Sequence, residues 1–209
     1  MNLTIVYSLL ILGAYFVGSI PTSYLFGITL KRIDLRKYGS GNVGATNALR
    51  VLGTGIGITT LIIDISKGFF VVFLSRLLIP EISDLMLILI GMAAILGHIF
   101  TIFLKFKGGK GVATSAGVFI ALAPLATLIT FIIFFIVVWL SKYVSLGSLL
   151  GAVSLFTIEL IININNSFQD YQILIFVGII GLFIFIKHIA NIKRIIKGNE
   201  NKISFRGKQ

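Results

Sequence analysis

Between Leu85 and Leu104 the chain runs for twenty residues, LMLILIGMAAILGHIFTIFL, without one Asp, Glu, Lys or Arg. About 20 apolar residues in a helix cover the roughly 30 Å hydrocarbon core of a bilayer. Further apolar segments can be drawn over residues 4–30, 53–79, 112–123, 125–140, 146–162 and 172–187. Only 12% of the chain is charged and 57% is hydrophobic. A soluble domain carries about 25% charged residues, so this chain has too few polar groups to cover a soluble surface. These properties predict an all-α integral membrane protein with seven transmembrane helices, forming a single membrane-embedded domain over residues 1–209.

The segment 112–123 is too short to cross alone, because its 12 residues extend only about 18 Å. It must tilt, bend near Pro124 or lie within the protein, away from lipid. The start, MNLTIVYSLL, has neither a basic leader nor a small-residue cleavage site, and reads as a retained first span.

Charge sets the orientation. With the N-terminus outside, seven spans put sixteen of the eighteen Lys and Arg residues on one face. They are Lys31, Arg32, Arg36, Lys37 and Arg50, then Lys105, Lys107 and Lys110, then Lys142, and seven residues from Lys187 to Lys208. The positive-inside rule makes that face cytoplasmic, and with it the C-terminus. The net charge of +11 is then explained by topology and anionic headgroups rather than by nucleic acid. Lys67 stands apart, inside the second span and three residues after Asp64. That spacing places both on one helix face. An intramembrane pair of this kind either serves function or fixes helix packing.

Three polar sets lie on the basic face. The first is SGNVGATNALR, residues 40–50, where Ser40, Asn42, Thr46 and Asn47 offer neutral hydrogen-bonding groups. If a helix begins there, Thr46 and Asn47 share a face with Arg50. The second is HIFTIFLKFKGGKGVAT, residues 98–114. Lys107 and Lys110 supply point charges suited to phosphate, and Gly108 and Gly109 would let backbone N–H groups approach a ligand. It is not a nucleotide-binding P-loop, since Leu104 occupies the place of that motif's first glycine. The third is KHIANIKRIIKGNE, residues 187–200, with His188 and Asn191 one helical turn apart and Arg194 a turn later.

Absences narrow the chemistry. The chain has no cysteine and only two histidines and seven carboxylates, so no thiol catalysis, no metal and no cofactor are expected. It has no G-x-S-x-G elbow, and neither histidine has an acidic residue five positions on. An enzyme built this way needs a substrate that is already activated.

The three sets, with DISKG at residues 64–68, resemble the cytoplasmic motifs and second span of PlsY, the bacterial acyl-phosphate:glycerol-3-phosphate acyltransferase family. The resemblance covers nearly the whole chain in order and spacing, with Thr101 standing where that family usually has Pro. It implies a seven-span protein of the bacterial plasma membrane with a cytoplasmic active face. The implied reaction is transfer of a fatty acyl group from acyl phosphate to the 1-hydroxyl of sn-glycerol 3-phosphate. The products are lysophosphatidic acid and phosphate, the first acylation of phospholipid synthesis. A soluble phosphate:acyl-carrier-protein acyltransferase is implied as the source of acyl phosphate.

On this reading Lys107, Lys110 and the Gly108–Gly109 backbone hold one phosphate. Ser40, Asn42, Thr46, Asn47 and Arg50 hold the other or donate to the developing oxyanion. His188 and Asn191 orient glycerol 3-phosphate, and the acyl phosphate or His188 accepts the hydroxyl proton. Asn47, His188 and Asn191 are the expected catalytic residues. The competing readings are an acyltransferase using acyl-CoA or acyl carrier protein, and a small anion or organic-phosphate transporter. A transporter, however, places its site near the midplane, whereas the polar groups here lie on one face.

Overall fold

The computed structural model describes residues 3–203. Ten α-helices follow in order: α1 Leu3–Ser19, α2 Thr22–Lys31, α3 Ala45–Leu52, α4 Thr54–Leu78, α5 Asp84–Ile99, α6 Val112–Leu122, α7 Pro124–Ser141, α8 Val144–Asn165, α9 Tyr171–Lys187 and α10 Ile189–Ile196. No strand occurs among the described residues. Four helices are long and apolar enough to cross a membrane: α4, α5 with its extension to Leu104, α7 and α8. The number rises to six if the bent pairs α1–α2 and α9–α10 are each one span. Arg206 and Lys208, counted above with the basic tail, lie outside the described residues.

Two elements sharpen the sequence reading. The first apolar segment, drawn as one run over 4–30, is broken by a bend of 41° between α1 and α2. Pro21 lacks the N–H that would continue the helix, and Thr22 N–H instead donates to the Ile20 carbonyl at 3.0 Å. The separation at Pro124 is as expected. Helix α6 has only 11 residues, and Pro124 opens α7 at a position where its missing N–H is no loss.

The described residues form two compact units, one up to Ala121 and one from Leu122. In the first, α1 lies along α5, while α2, α3 and α5 pack on α4. Small residues make the contacts close. A Cβ on Gly18 would meet the Ala94 carbonyl, and one on Gly97 would meet the Tyr15 carbonyl. Gly68 and Gly117 do the same for α4 and α6. Between apolar helices in lipid, such packing replaces the hydrophobic driving force available in water. Leu87, Ile90, Ile95, Val72, Val118 and Phe119 fill the interior.

In the second unit α8 packs on both α7 and α9. Lys142 makes the α7–α8 turn in the left-handed region at φ 63°. Its carbonyl receives the Ile203 N–H at 2.8 Å, so the segment after α10 returns to this turn. Helices α9 and α10 meet at 58°, with His188 at the junction.

Candidate active site

The first polar set is built around one buried amide. Helix α3 buries Ala48 and Leu52 against Leu35, and Asn47 shares that buried face at 2% exposure. Asn47 Nδ2 donates to the carbonyls of Asn42 at 2.9 Å, Tyr38 at 3.1 Å and Leu35 at 3.4 Å. Its Oδ1 accepts the Ser40 N–H at 2.9 Å. Gly39 lies against that oxygen at φ +61°, where a Cβ would collide with it. The loop is also clipped from outside. Asp34 caps the turn at Leu35–Lys37, accepting the Arg36 N–H at 3.0 Å, and the Arg36 guanidinium grips its carboxylate at 2.7–3.2 Å. That grip holds the Asp34 carboxyl down at about 2, so the clip is charged throughout the neutral range.

These bonds correct one expectation. Asn47 was expected to donate to substrate or oxyanion, yet its amide is committed to four backbone groups of its own loop. In the structure it organises its own loop. Ser40 is exposed, while Asn42, Thr46 and Arg50 are partly buried, so the groups around Asn47 rather than Asn47 itself line the surface.

The second set folds back on the end of α5. A short 3-10 turn at Ile102–Leu104 leads into Lys105 and Phe106, consecutive left-handed residues at φ 53° and 62°. The chain then reverses, and Gly108 N–H donates to the Ile99 carbonyl at 3.1 Å and Gly109 N–H to the His98 carbonyl at 3.0 Å. This too differs from expectation, since the two amides expected to meet a ligand are engaged within the fold. The visible reason for glycine is close approach. A Cβ on Gly109 would run into His98 Nε2, and one on Gly108 into the His98 carbonyl. Lys107 is exposed and Lys110 half-buried at the entrance to α6. The N-terminal end of that helix carries positive potential toward the same loop. Gly109→Ala should therefore displace the loop from His98. The expected result is a lower thermal unfolding midpoint together with turnover reduced at least about tenfold; unchanged values of both would contradict the packing described.

The third set belongs to the second unit. His188 Nδ1 lies 2.8 Å from the Ile184 carbonyl. A protonated Nδ1 suits that contact, and in the neutral ring Nε2 is then the acceptor nitrogen. Asn191 Nδ2 and Arg194 Nε both donate to Glu200, at 2.7 and 2.8 Å. Ser145 Oγ, from α8, donates to the same carboxylate at 3.0 Å. Burial pushes the Glu200 pKa up, but these bonds from Asn191, Arg194 and Ser145 outweigh it and hold the carboxyl below its usual range. Asp64 and Lys67, the pair foreseen in the second span, meet at 2.9 Å with both side chains buried. Among the described residues no three of His, Asp and Glu converge in a way that would hold a metal ion.

Comparison with known proteins identifies the family. The family model described as glycerol-3-phosphate acyltransferase matches residues 8–198. The chain belongs to the glycerol-3-phosphate acyltransferase family. It is 44% identical to the glycerol-3-phosphate acyltransferase of Chlorobium luteolum, covering 92% of this chain and 94% of the relative. It is 45% identical to glycerol-3-phosphate acyltransferase 2 of Bacillus anthracis, over 91% of this chain and 95% of that one. A crystal structure of PlsY, an integral membrane glycerol 3-phosphate acyltransferase in its glycerol 3-phosphate form, superposes with a TM-score of 0.85 at 34% identity, covering 95% of this chain and 96% of that one. The lysophosphatidic acid form of PlsY superposes with a TM-score of 0.83 at 33% identity, with the same coverage. This chain is thus a multi-pass membrane member of the acyltransferase family.

For two groups in this family member the sequence showed the residue but not its contacts. Glu200 lies inside the third motif, but nothing in the spacing of KGNE announces a buried carboxylate that gathers Ser145, Asn191 and Arg194. His98 has no polar neighbour in sequence, and its contact with Gly109 arises only when the loop folds back.

Proposed function

We propose that this chain transfers a fatty acyl group from acyl phosphate to the 1-hydroxyl of sn-glycerol 3-phosphate at the cytoplasmic face of the bacterial plasma membrane. It works as one membrane-embedded enzyme with seven spans, the N-terminus outside and the C-terminus inside. Membership of the glycerol-3-phosphate acyltransferase family supports the reaction and the acceptor. The choice of donor rests on a single observation: the polar sets offer cations, amides, hydroxyls and imidazoles, their one carboxylate, Glu200, is held by Ser145, Asn191 and Arg194, and there is no cysteine and no serine elbow to form an acyl-enzyme. Such a site suits a mixed anhydride, whose phosphate is already a good leaving group.

The hydroxyl oxygen of glycerol 3-phosphate attacks the acyl carbonyl carbon. The new C–O ester bond forms as the bond between the acyl carbon and the bridging oxygen breaks, that oxygen leaves on phosphorus as inorganic phosphate, and the leaving phosphate or His188 Nε2 takes the hydroxyl proton. Lys107 and Lys110 hold one phosphate beside the glycine pair. Ser40, Asn42, Thr46 and Arg50, on the frame that Asn47 organises, meet the other or the developing oxyanion. His188 and Asn191 orient glycerol 3-phosphate. The acyl chain lies in the apolar groove lined by Ile11, Leu12, Tyr15, Leu96, Phe100 and Phe106, which opens beside the lysine loop.

The test is turnover of purified protein in lipid with glycerol 3-phosphate and either palmitoyl phosphate or palmitoyl-CoA. Lysophosphatidate from palmitoyl phosphate, with one phosphate released per acyl group and no loss in EDTA, is the expected result. Product from palmitoyl-CoA alone would replace the donor, and loss in EDTA restored by magnesium would show a metal requirement. Absence of product from either donor, in folded protein, would favour the transporter reading instead.

A further inference from the structure

The break in the first span leaves carbonyls without helical partners inside an apolar unit, where each such group costs several kcal/mol if left bare. The Ser19 carbonyl receives the Thr101 hydroxyl at 2.5 Å, and the Ile20 carbonyl receives Lys67 Nζ at 3.1 Å. Lys67 is neutralised by Asp64 Oδ1 at 2.9 Å. That same oxygen accepts the Thr22 hydroxyl, from the first turn of α2, at 3.1 Å. His98 Nδ1, from the last turn of α5, stands 3.9 Å from it. Asp64, Thr22, Lys67 and His98 are all buried, at 8% exposure or less. One carboxylate oxygen on α4 therefore faces α2, α5 and its own lysine.

Stability alone does not explain such a cluster. Well-packed apolar residues in place of a buried ion pair are often equally or more stable. What the pair does here is directional. Through Lys67 it closes the α1–α2 break, and next to it His98 forms the floor of the lysine loop. The Gly109 N–H donates to the His98 carbonyl, and the imidazole edge occupies the space that a Gly109 side chain would need.

We propose that Asp64, with Lys67, is a positioning residue that holds His98 and thereby sets the Lys107–Lys110 loop for the substrate phosphate. The proposal rests on the reading that this loop takes a phosphate. Its test has a readout that does not depend on that reading.

The chain has no cysteine, so a nitroxide can be placed singly at Phe106→Cys, on the loop, or at Leu78→Cys, at the far end of α4; both positions are exposed. The background variant is Asp64→Leu with Lys67→Met, which removes the pair without leaving a lone buried charge. In lipid vesicles the loop label should become more mobile and the Leu78 label should not change. The KM for one of the two phosphate substrates should rise about tenfold, with kcat within about threefold. An unchanged loop label, or equal loosening of both labels, would overturn the proposal. A mobile loop label with both KM values unchanged would support the positioning role and refute the loop as a phosphate site. If the double variant does not fold, Thr22→Val removes one hydroxyl from Asp64 at constant volume. It should loosen the loop label in the same sense with about a threefold rise in KM, and an identical spectrum would overturn the proposal.

Discussion

Asn47→Ala should lower turnover by about two to three orders of magnitude, the scale lost when one oxyanion-type donor is misplaced. The Asn47 amide is committed to its own loop, so the loss comes through the frame. Removing its amide takes their partner from the Ser40 N–H and the Asn42 carbonyl, and leaves the Leu35 and Tyr38 carbonyls only the N–H groups of Tyr38 and Gly41. Each unsatisfied buried group costs about 1–3 kcal/mol, more than enough to let residues 38–42 leave their conformation. Ser40, Asn42 and Arg50 would then lose their common frame. Asn47→Asp separates framing from chemistry. It keeps the acceptor for Ser40 but faces three carbonyls with an oxygen, and should be as inactive as Asn47→Ala. Steady-state turnover in lipid, with folding checked by a cooperative melting curve, reads the result. Activity within a few-fold of wild type in either variant would show that the loop holds its shape by other means.

Glu200→Ala should produce the largest loss of stability in the second unit. The Glu200 carboxylate is 2% exposed and paired to an Arg194 that is 36% exposed, so the cost lies near the lower end of the range for breaking a buried pair, about 3 kcal/mol. For a chain of this length that corresponds to an unfolding midpoint lower by roughly 6–12 °C. The substitution removes the acceptor that Asn191, Ser145 and Arg194 share, so α8 and α10 lose their common anchor. On the proposed function turnover should fall too, because this carboxylate holds the Asn191 amide. The pH dependence has a definite sign. The folded-state pKa of Glu200 lies below its usual value, so its stabilisation is complete above about pH 4.3 and is lost as pH falls through the folded value. Acid titration of the melting temperature should therefore show a step in the wild type that is absent in Glu200→Gln. A Glu200→Ala midpoint within 2 °C (roughly 1 kcal/mol or less) would contradict this account.

How far the sequence could be read depended on the range of the interaction. Apolar runs, Pro124 and the basic loops are local properties, and the helices over 54–78, 84–99, 124–141, 144–165 and 171–187 lie where those runs predict them. The Asp64–Lys67 contact was also legible, because three residues on a helix fix a face. The break at Pro21 was not drawn, although proline marks it. Whether a helix stops or bends there depends on who satisfies the freed carbonyls, and the donors come from Lys67 and Thr101.

The site divides in the same way. Residue types in the three polar sets indicated cations for phosphate and neutral donors for an activated ester, and their order along the chain placed them in one family. The amides of Gly108 and Gly109, the carboxamide of Asn47 and the carboxylate of Glu200 looked equally available or equally idle in the sequence. Only the tertiary structure decided between those states, since a hydrogen-bonding group is committed by whatever the fold brings within about 3 Å. Ser145 meets Glu200 across 55 residues, and Thr22 meets Asp64 across 42. The sequence by itself determined the medium, the secondary structure and the chemistry these side chains can offer, because hydropathy, charge and helical spacing are properties of short stretches. Which of those groups hold the frame was decided by long-range packing, because a buried donor or acceptor takes the partner that the folded chain supplies.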